Sequence, residues 1–121
     1  MYCISSIGYV PHSLALKILN SSELRAKGFM GWSQPPNDHY GMLFVHDIEH
    51  PQSYWMHTVP FDLDCLGFDK HNRLVEVLPL EAFSTASRRF SVPVRYVVEV
   101  RGGWCKDHGI KGGEKLVIRK L

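Results

Sequence analysis

Nothing in the chain's 121 residues approaches the roughly 20 consecutive apolar residues of a membrane-spanning helix, so no membrane partner is expected. Its start, Met1-Tyr2-Cys3-Ile4, has neither a basic segment nor a long apolar stretch, which predicts no export signal and a cytoplasmic location. Cysteine is scarce: Cys3, Cys65 and Cys105 are odd in number, widely spaced and form no Cys-x-x-Cys. Reduced packing thiols are expected rather than a disulfide framework. The formal net charge is only +2, too small for the basic footprint of a nucleic-acid binder. Ser84, Ser87 and Ser91 sit in no Gly-x-Ser-x-Gly elbow, which removes one hydrolase signature. Gly102-Gly103 and Gly112-Gly113 lack the lysine and the spacing of phosphate-cradling loops. No cofactor is expected.

What is present reads as one domain spanning 1–121, without internal repeats. Short strand-like runs alternate with turn signals, the pattern of a mainly β fold: a sandwich or partly closed barrel with two short helices. Leu14–Leu19 and Gly41–Val45 are apolar enough for buried strands, the second broken at His50-Pro51. Asn20 stands three residues before Glu23, which predicts a capped helix over Ser21–Lys27 that stops at Gly28. In the run after Pro60, Phe61, Leu63 and Cys65 point one way and Asp62 and Asp64 the other. Asp69-Lys70-His71-Asn72 predicts a hairpin turn into Arg73–Leu78, and Pro79–Phe90 a loop. The clearest strand places Val94, Tyr96, Val98 and Val100 on one face, with Arg95, Glu99 and Arg101 on the other, toward water. A short helix between Gly103 and Gly109 and a last strand near Lys115–Arg119 complete the reading.

Several strings together resemble one microbial family, the domain of unknown function 192. They are Arg25-Ala26-Lys27-Gly28-Phe29-Met30, Gly41-Met42-Leu43-Phe44-Val45, Trp55-Met56 with Leu63-Asp64, Tyr96-Val97-Val98-Glu99-Val100 with Gly103, and His108-Gly109-Ile110-Lys111 with Gly113-Glu114. The resemblance covers about residues 13–119. It departs at His57-Thr58, where the family has Lys-Asn, and at Asp62, where it has proline. It implies a compact, mainly β fold and no established activity, and fold alone does not give function.

Candidate sites are few. His46-Asp47-Ile48-Glu49-His50 carries the His-x-x-Glu-His spacing, but that chemistry needs a helix to aim both rings at one metal. A strand leads in and Pro51 follows, so His46 and His50 are only weak metal candidates and no metal site is expected. Asp62 and Asp64 share a strand face roughly 7 Å apart. With Trp32, Trp55 and Thr58 they make a candidate ligand or carbohydrate site, aromatic rings serving as stacking platforms. Trp55 is expected in the core, and Trp32, beside a proline-rich loop, at the surface. The more ordinary expectation is that Asp62 is solvated and Asp64 accepts backbone hydrogen bonds. Cys105 and His108 stand three apart on one short helix, close enough for a thiolate–imidazole pair, yet nothing identifies an orienting group or oxyanion donor.

Charge is uneven along the chain. Residues 1–87 carry 5 basic and 9 acidic groups, residues 88–121 carry 9 and 3. A basic end can meet an acidic partner or another copy's acidic face. The leading expectation is therefore a non-enzymatic interaction or assembly module with a protein partner or self-assembly. One form is a structural subunit of a larger particle such as a virion. The alternatives are a small-ligand or carbohydrate-binding domain and a metal-dependent enzyme using the histidines.

Overall fold

The computed structural model describes residues 1–8 and 12–120. In chain order the elements are β1 (Tyr2–Ile7), β2 (His12–Leu19), α1 (Ser22–Lys27), β3 (Tyr40–His50), β4 (Ser53–Tyr54), β5 (Leu63–Phe68), β6 (Leu74–Leu80), β7 (Arg88–Arg89), β8 (Val94–Arg101), α2 (Trp104–Asp107) and β9 (Leu116–Lys120). Seven strands form one mixed sheet in the order β6-β5-β8-β3-β2-β1-β9, and β4 and β7 form a separate ribbon. Within the large sheet only β2 and β3 run parallel. A parallel pair needs a crossover, and α1 lies in that connection. The sheet curls until its outer strands meet at one isolated bridge, Arg73 to Lys115. The barrel stays open, and the fold is the mainly β architecture with two short helices that the sequence predicts.

Strand alternation makes both faces apolar. One face gathers Leu14, Leu16, Leu43, Leu66, Val98 and Val100, and α2 plugs it with Trp104 and Cys105. Trp104 is 1 % exposed, and burial of that kind is worth about 3–5 kcal/mol against truncation to alanine. The opposite face holds Met42, Phe44, Leu63, Cys65, Leu78 and Val97, covered by Phe29 after α1, Met56 and Val59 of the β4–β5 loop, and Phe90 after β7. Gly67 lets that cover settle: a methyl there would stand 2.6 Å from Phe90 Cε1 and 2.7 Å from Val94 Cγ1.

Local details correct the sequence reading in several places. The N-cap of α1 is Ser21, not Asn20, and its hydroxyl accepts the Leu24 N–H. Gly28 ends the helix with φ 45° as expected. Strand β3 extends beyond the expected Gly41–Val45 through His50, with an irregular register after Val45, and ends at the predicted break before Pro51. The Asp69–Asn72 hairpin is as predicted, the Asp69 carboxylate accepting the His71 and Arg73 N–H groups. Strand β1 was not foreseen. Its Cys3, Ser5 and Ile7 face the interior, and the serines hide the apolar alternation.

Candidate functional site

Alternation along β8 decides where the site lies. Val98 and Val100 turn toward α2, so Val97 and Glu99 turn toward the other face. Glu99 therefore does not face water as expected: it is 5 % exposed, in the middle of the sheet. Its cross-strand neighbours are Met42 on β3 and Cys65 on β5. Cys65 lies directly opposite Glu99 across the β5–β8 pair. Burial penalises the carboxylate form and pushes this carboxyl up to about 8, against the smaller lowering effect of the Cys65 thiol. The same burial, reinforced by Glu99, raises the Cys65 thiol.

Glu99 is not sealed in protein. It forms part of the wall of a cavity of ≈ 440 Å³ between α1, β3, β4 and the loop that follows β4. Phe44, Met56, Val59 and Leu63 supply apolar wall, while Arg25, Lys27, His46 and Tyr54 supply polar groups. Arg25 is set by α1, and its Nη1 donates to the Val45 carbonyl at 2.9 Å, tying the helix to β3. His46 Nε2 and the Tyr54 hydroxyl are hydrogen-bonded. Burial first, then the Arg25 charge, lowers His46 to about 4, so its ring is neutral at neutral pH. Tyr54 is raised by burial and by its neighbours Cys65 and Glu99, while Arg25 acts in the opposite sense. Tyr54 thus stands within the fields of the acidic floor and the basic wall. At the mouth the exposed Trp55 ring stacks on His57, centroids 5.1 Å apart and planes 22° apart.

The residues singled out in the sequence separate. Trp55 lines the cavity, but it is 55 % exposed rather than in the core. Trp32 reverses the other expectation: it packs edge-on against Phe29 at 5.0 Å and beside Tyr40 at 5.4 Å, at the margin of the core. Thr58, Asp62 and Asp64 are not among the lining residues. Asp62 is exposed and accepts the Ala82 N–H; Asp64 is buried and accepts the Cys105 N–H at 2.9 Å. Asp64 thus binds backbone and Asp62 is exposed, as the ordinary expectation held, while the Asp62 bond to Ala82 goes beyond it. Thr58 adopts φ 64° in a turn closed by Val59 N–H to Met56 C=O. His46 is half-buried against Tyr54, whereas His50 is exposed. Among the described residues no group of three or more His, Cys, Asp or Glu could hold a metal.

Cys105 and His108 do not form a thiolate–imidazole pair. Burial, then Asp64, raises the Cys105 thiol well above its ordinary range. His108 Nε2 instead meets Asp38 Oδ2 at 3.0 Å, with its ring against Trp104. Arg101 bonds the same Asp38 at 2.6 Å and Asp107 at 2.9 Å. The Arg101 bond, more than the His108 bond, holds the Asp38 carboxyl below its ordinary value. These groups fasten the 33–39 segment to β8 and α2.

Sequence reasoning missed Glu99, Arg25 and Tyr54 as a set. One signal was available: a lone acid inside Val97-Val98-Glu99-Val100, a run apolar on both faces, marks a buried carboxyl. The structure also gathers what the sequence scatters. Each of the first four family-like strings reaches the cavity, through Arg25, Phe44, Trp55 and Glu99 respectively.

Comparison with known proteins agrees with this fold. A protein from Sinorhizobium meliloti 1021, provisionally named a transcription regulator, superposes with TM-score 0.92 at 23% identity, over 98% of this chain and 94% of that one. A protein of unknown function from Novosphingobium aromaticivorans DSM 12444 gives TM-score 0.86 at 22% identity, over 97% and 84%. At these identities the likeness shows the fold alone. No curated protein matches the sequence. The model of the family DUF192, described as "Uncharacterized ACR", matches residues 4–118. On that match, and on the strings that converge at the cavity, the chain belongs to the DUF192 family.

Proposed function

We propose that the chain is a small-molecule-binding domain whose ligand enters past Trp55 and meets Glu99 at the cavity floor. The observation that carries this reading is the Glu99 carboxyl. It is buried in the middle of a sheet, has a thiol as its neighbour, and opens onto a cavity. Placing a polar group there costs stability unless something bonds to it. The cavity's size falls in the roughly 300–1,000 Å³ range of small-molecule sites, and a perturbed carboxyl in a cleft is a recurrent mark of such sites. The role is binding rather than bond-breaking. His46 and Tyr54 satisfy each other, and the thiol opposite Glu99, that of Cys65, is raised rather than activated.

Trp55 emission provides the test. A panel of small polar metabolites and sugars is titrated into the wild type, with Trp55→Phe as control. The reading expects saturable emission changes that vanish in the variant, together with a rise in melting temperature on binding. A panel that moves neither emission nor melting temperature rejects it.

An interaction or assembly role is the second reading. It draws on Ile48 and Phe83, large apolar side chains that are 66% and 63% exposed, and on the opposite charge balance of the two parts of the chain. Light scattering at low and moderate salt tests it: an oligomer that loosens as salt screens the charges supports it, and a monomer at both opposes it. The virion form further requires retention in purified particles at fixed copy number.

A further inference from the structure

The cavity is chemically lopsided. Arg25 and Lys27 lie on its helical wall, and both are cationic at neutral pH. Among the described residues that line it, Glu99 is the one carboxyl. It sits at the buried end, whereas Lys27 and Trp55 are exposed at the open end. Burial keeps Glu99 mostly protonated at neutral pH and His46 mostly neutral. The lining then carries cationic charge with no carboxylate to offset it. A cationic guest would meet two like charges at the entrance, and a neutral guest would leave them unused. An anion would be drawn in and partly neutralised. Arg25 has donors left after its bonds to the Val45 carbonyl and the Ser22 hydroxyl, since a guanidinium offers five N–H groups in a planar fork suited to carboxylates. At the other end, a protonated carboxyl offers one O–H donor and free acceptor positions, which suit a hydroxyl or carbonyl. Between the ends lie the apolar Phe44, Met56 and Leu63, fit for a short carbon skeleton.

We infer that the ligand is a small hydroxylated organic anion, its charged group at Arg25 and Lys27 and a hydroxyl or carbonyl against Glu99. This inference rests on the small-molecule reading above and narrows it to one ligand class. Matched pairs that differ in charge test it by calorimetry: glucuronate against glucose, gluconate against sorbitol, and lactate against propane-1,2-diol. In at least one pair the anion should bind tenfold or more tighter than its neutral partner. In that pair Lys27→Glu should weaken the anion at least tenfold and leave the neutral compound within about twofold. Lys27 is exposed, so the substitution leaves the core intact. Neutral members that bind as tightly as the anions overturn the inference while the binding reading stands. Anion binding that is indifferent to Lys27→Glu overturns it too. If no pair binds although other panel compounds move Trp55 emission, the ligand class is wrong and the cavity's role survives. If nothing binds at all, both fail.

Discussion

Replacing Glu99 by glutamine changes one proton-binding group at the centre of the sheet and little else in shape. In the folded chain this carboxyl ionises near 8, against an ordinary value of 4.5. Between those two values the folded state holds a proton that the unfolded chain releases, so stability falls as pH rises. The contribution is fully present below about 4.5, declines through the interval and is lost above about 8. At about 1.4 kcal/mol per pH unit, the whole interval is worth roughly 5 kcal/mol. His46, lowered to about 4, acts in the opposite sense: its contribution is present above its ordinary value of 6.5 and is lost as pH falls toward 4. The His46 effect cancels when wild type and Glu99→Gln are compared at each pH. Glutamine cannot ionise and keeps the side chain's length and shape. Urea unfolding of both proteins at about pH 5, 6, 7 and 8 gives the difference directly. It should be small at pH 5 and grow to several kcal/mol in favour of Glu99→Gln at pH 8. Parallel stability curves would refute the reasoning, because they would mean that Glu99 is ionised in the folded protein.

Other substitutions probe the supports of the site. Thr58 is β-branched, yet it takes φ 64° at a turn position where glycine or asparagine is at ease. The family's asparagine is the comfortable residue there, so Thr58→Asn should stabilise by about 1 kcal/mol and raise the melting temperature by about 4 °C. Gly67→Ala drives a methyl into Phe90 and Val94 and should cost about 1–3 kcal/mol in a denaturant titration. Asp64→Ala leaves the buried Cys105 N–H without its acceptor, at a cost of about 1–3 kcal/mol, and should not alter ligand binding. Trp55→Phe, at an exposed ring, should change melting temperature by less than about 2 °C.

How far the sequence reveals this protein depends on how local the cause is. Turn chemistry is local, so the Asp69–Asn72 hairpin and the glycine stop at Gly28 are legible, and the helix start is off by one residue because three polar residues, Asn20, Ser21 and Ser22, compete for the cap. Strand alternation is legible in β8 from Tyr96 to Val100, but Val94 falls on the opposite face, with Val97, beyond an irregular register. Which face is wet is not local. It depends on what covers the sheet, and here Phe29, Met56 and Phe90 arrive from three separate segments. That is why Glu99 reads as a solvent-facing charge and is instead buried. The tryptophans are exchanged for the same reason: Trp32 finds Phe29 and Tyr40, partners its own neighbourhood does not advertise, while Trp55 sits in a tight loop that turns it outward. Asp62 and Asp64 read as a same-face pair, but Asp62 precedes β5 and is exposed while Asp64 is buried within it, and the backbone N–H groups they accept come from Ala82 and Cys105, distant in sequence. The family-like strings, each weak alone, gain meaning only when the curled sheet brings four of them to one cavity.

The most direct test of the binding account is amide and side-chain chemical-shift mapping of the intact protein during titration with glucuronate and with the best compound of the wider panel. The account predicts dose-dependent shifts concentrated at Arg25, His46, Trp55 and Glu99, with α2 and β9 silent. Saturating shifts centred elsewhere, or none for any compound, would contradict it.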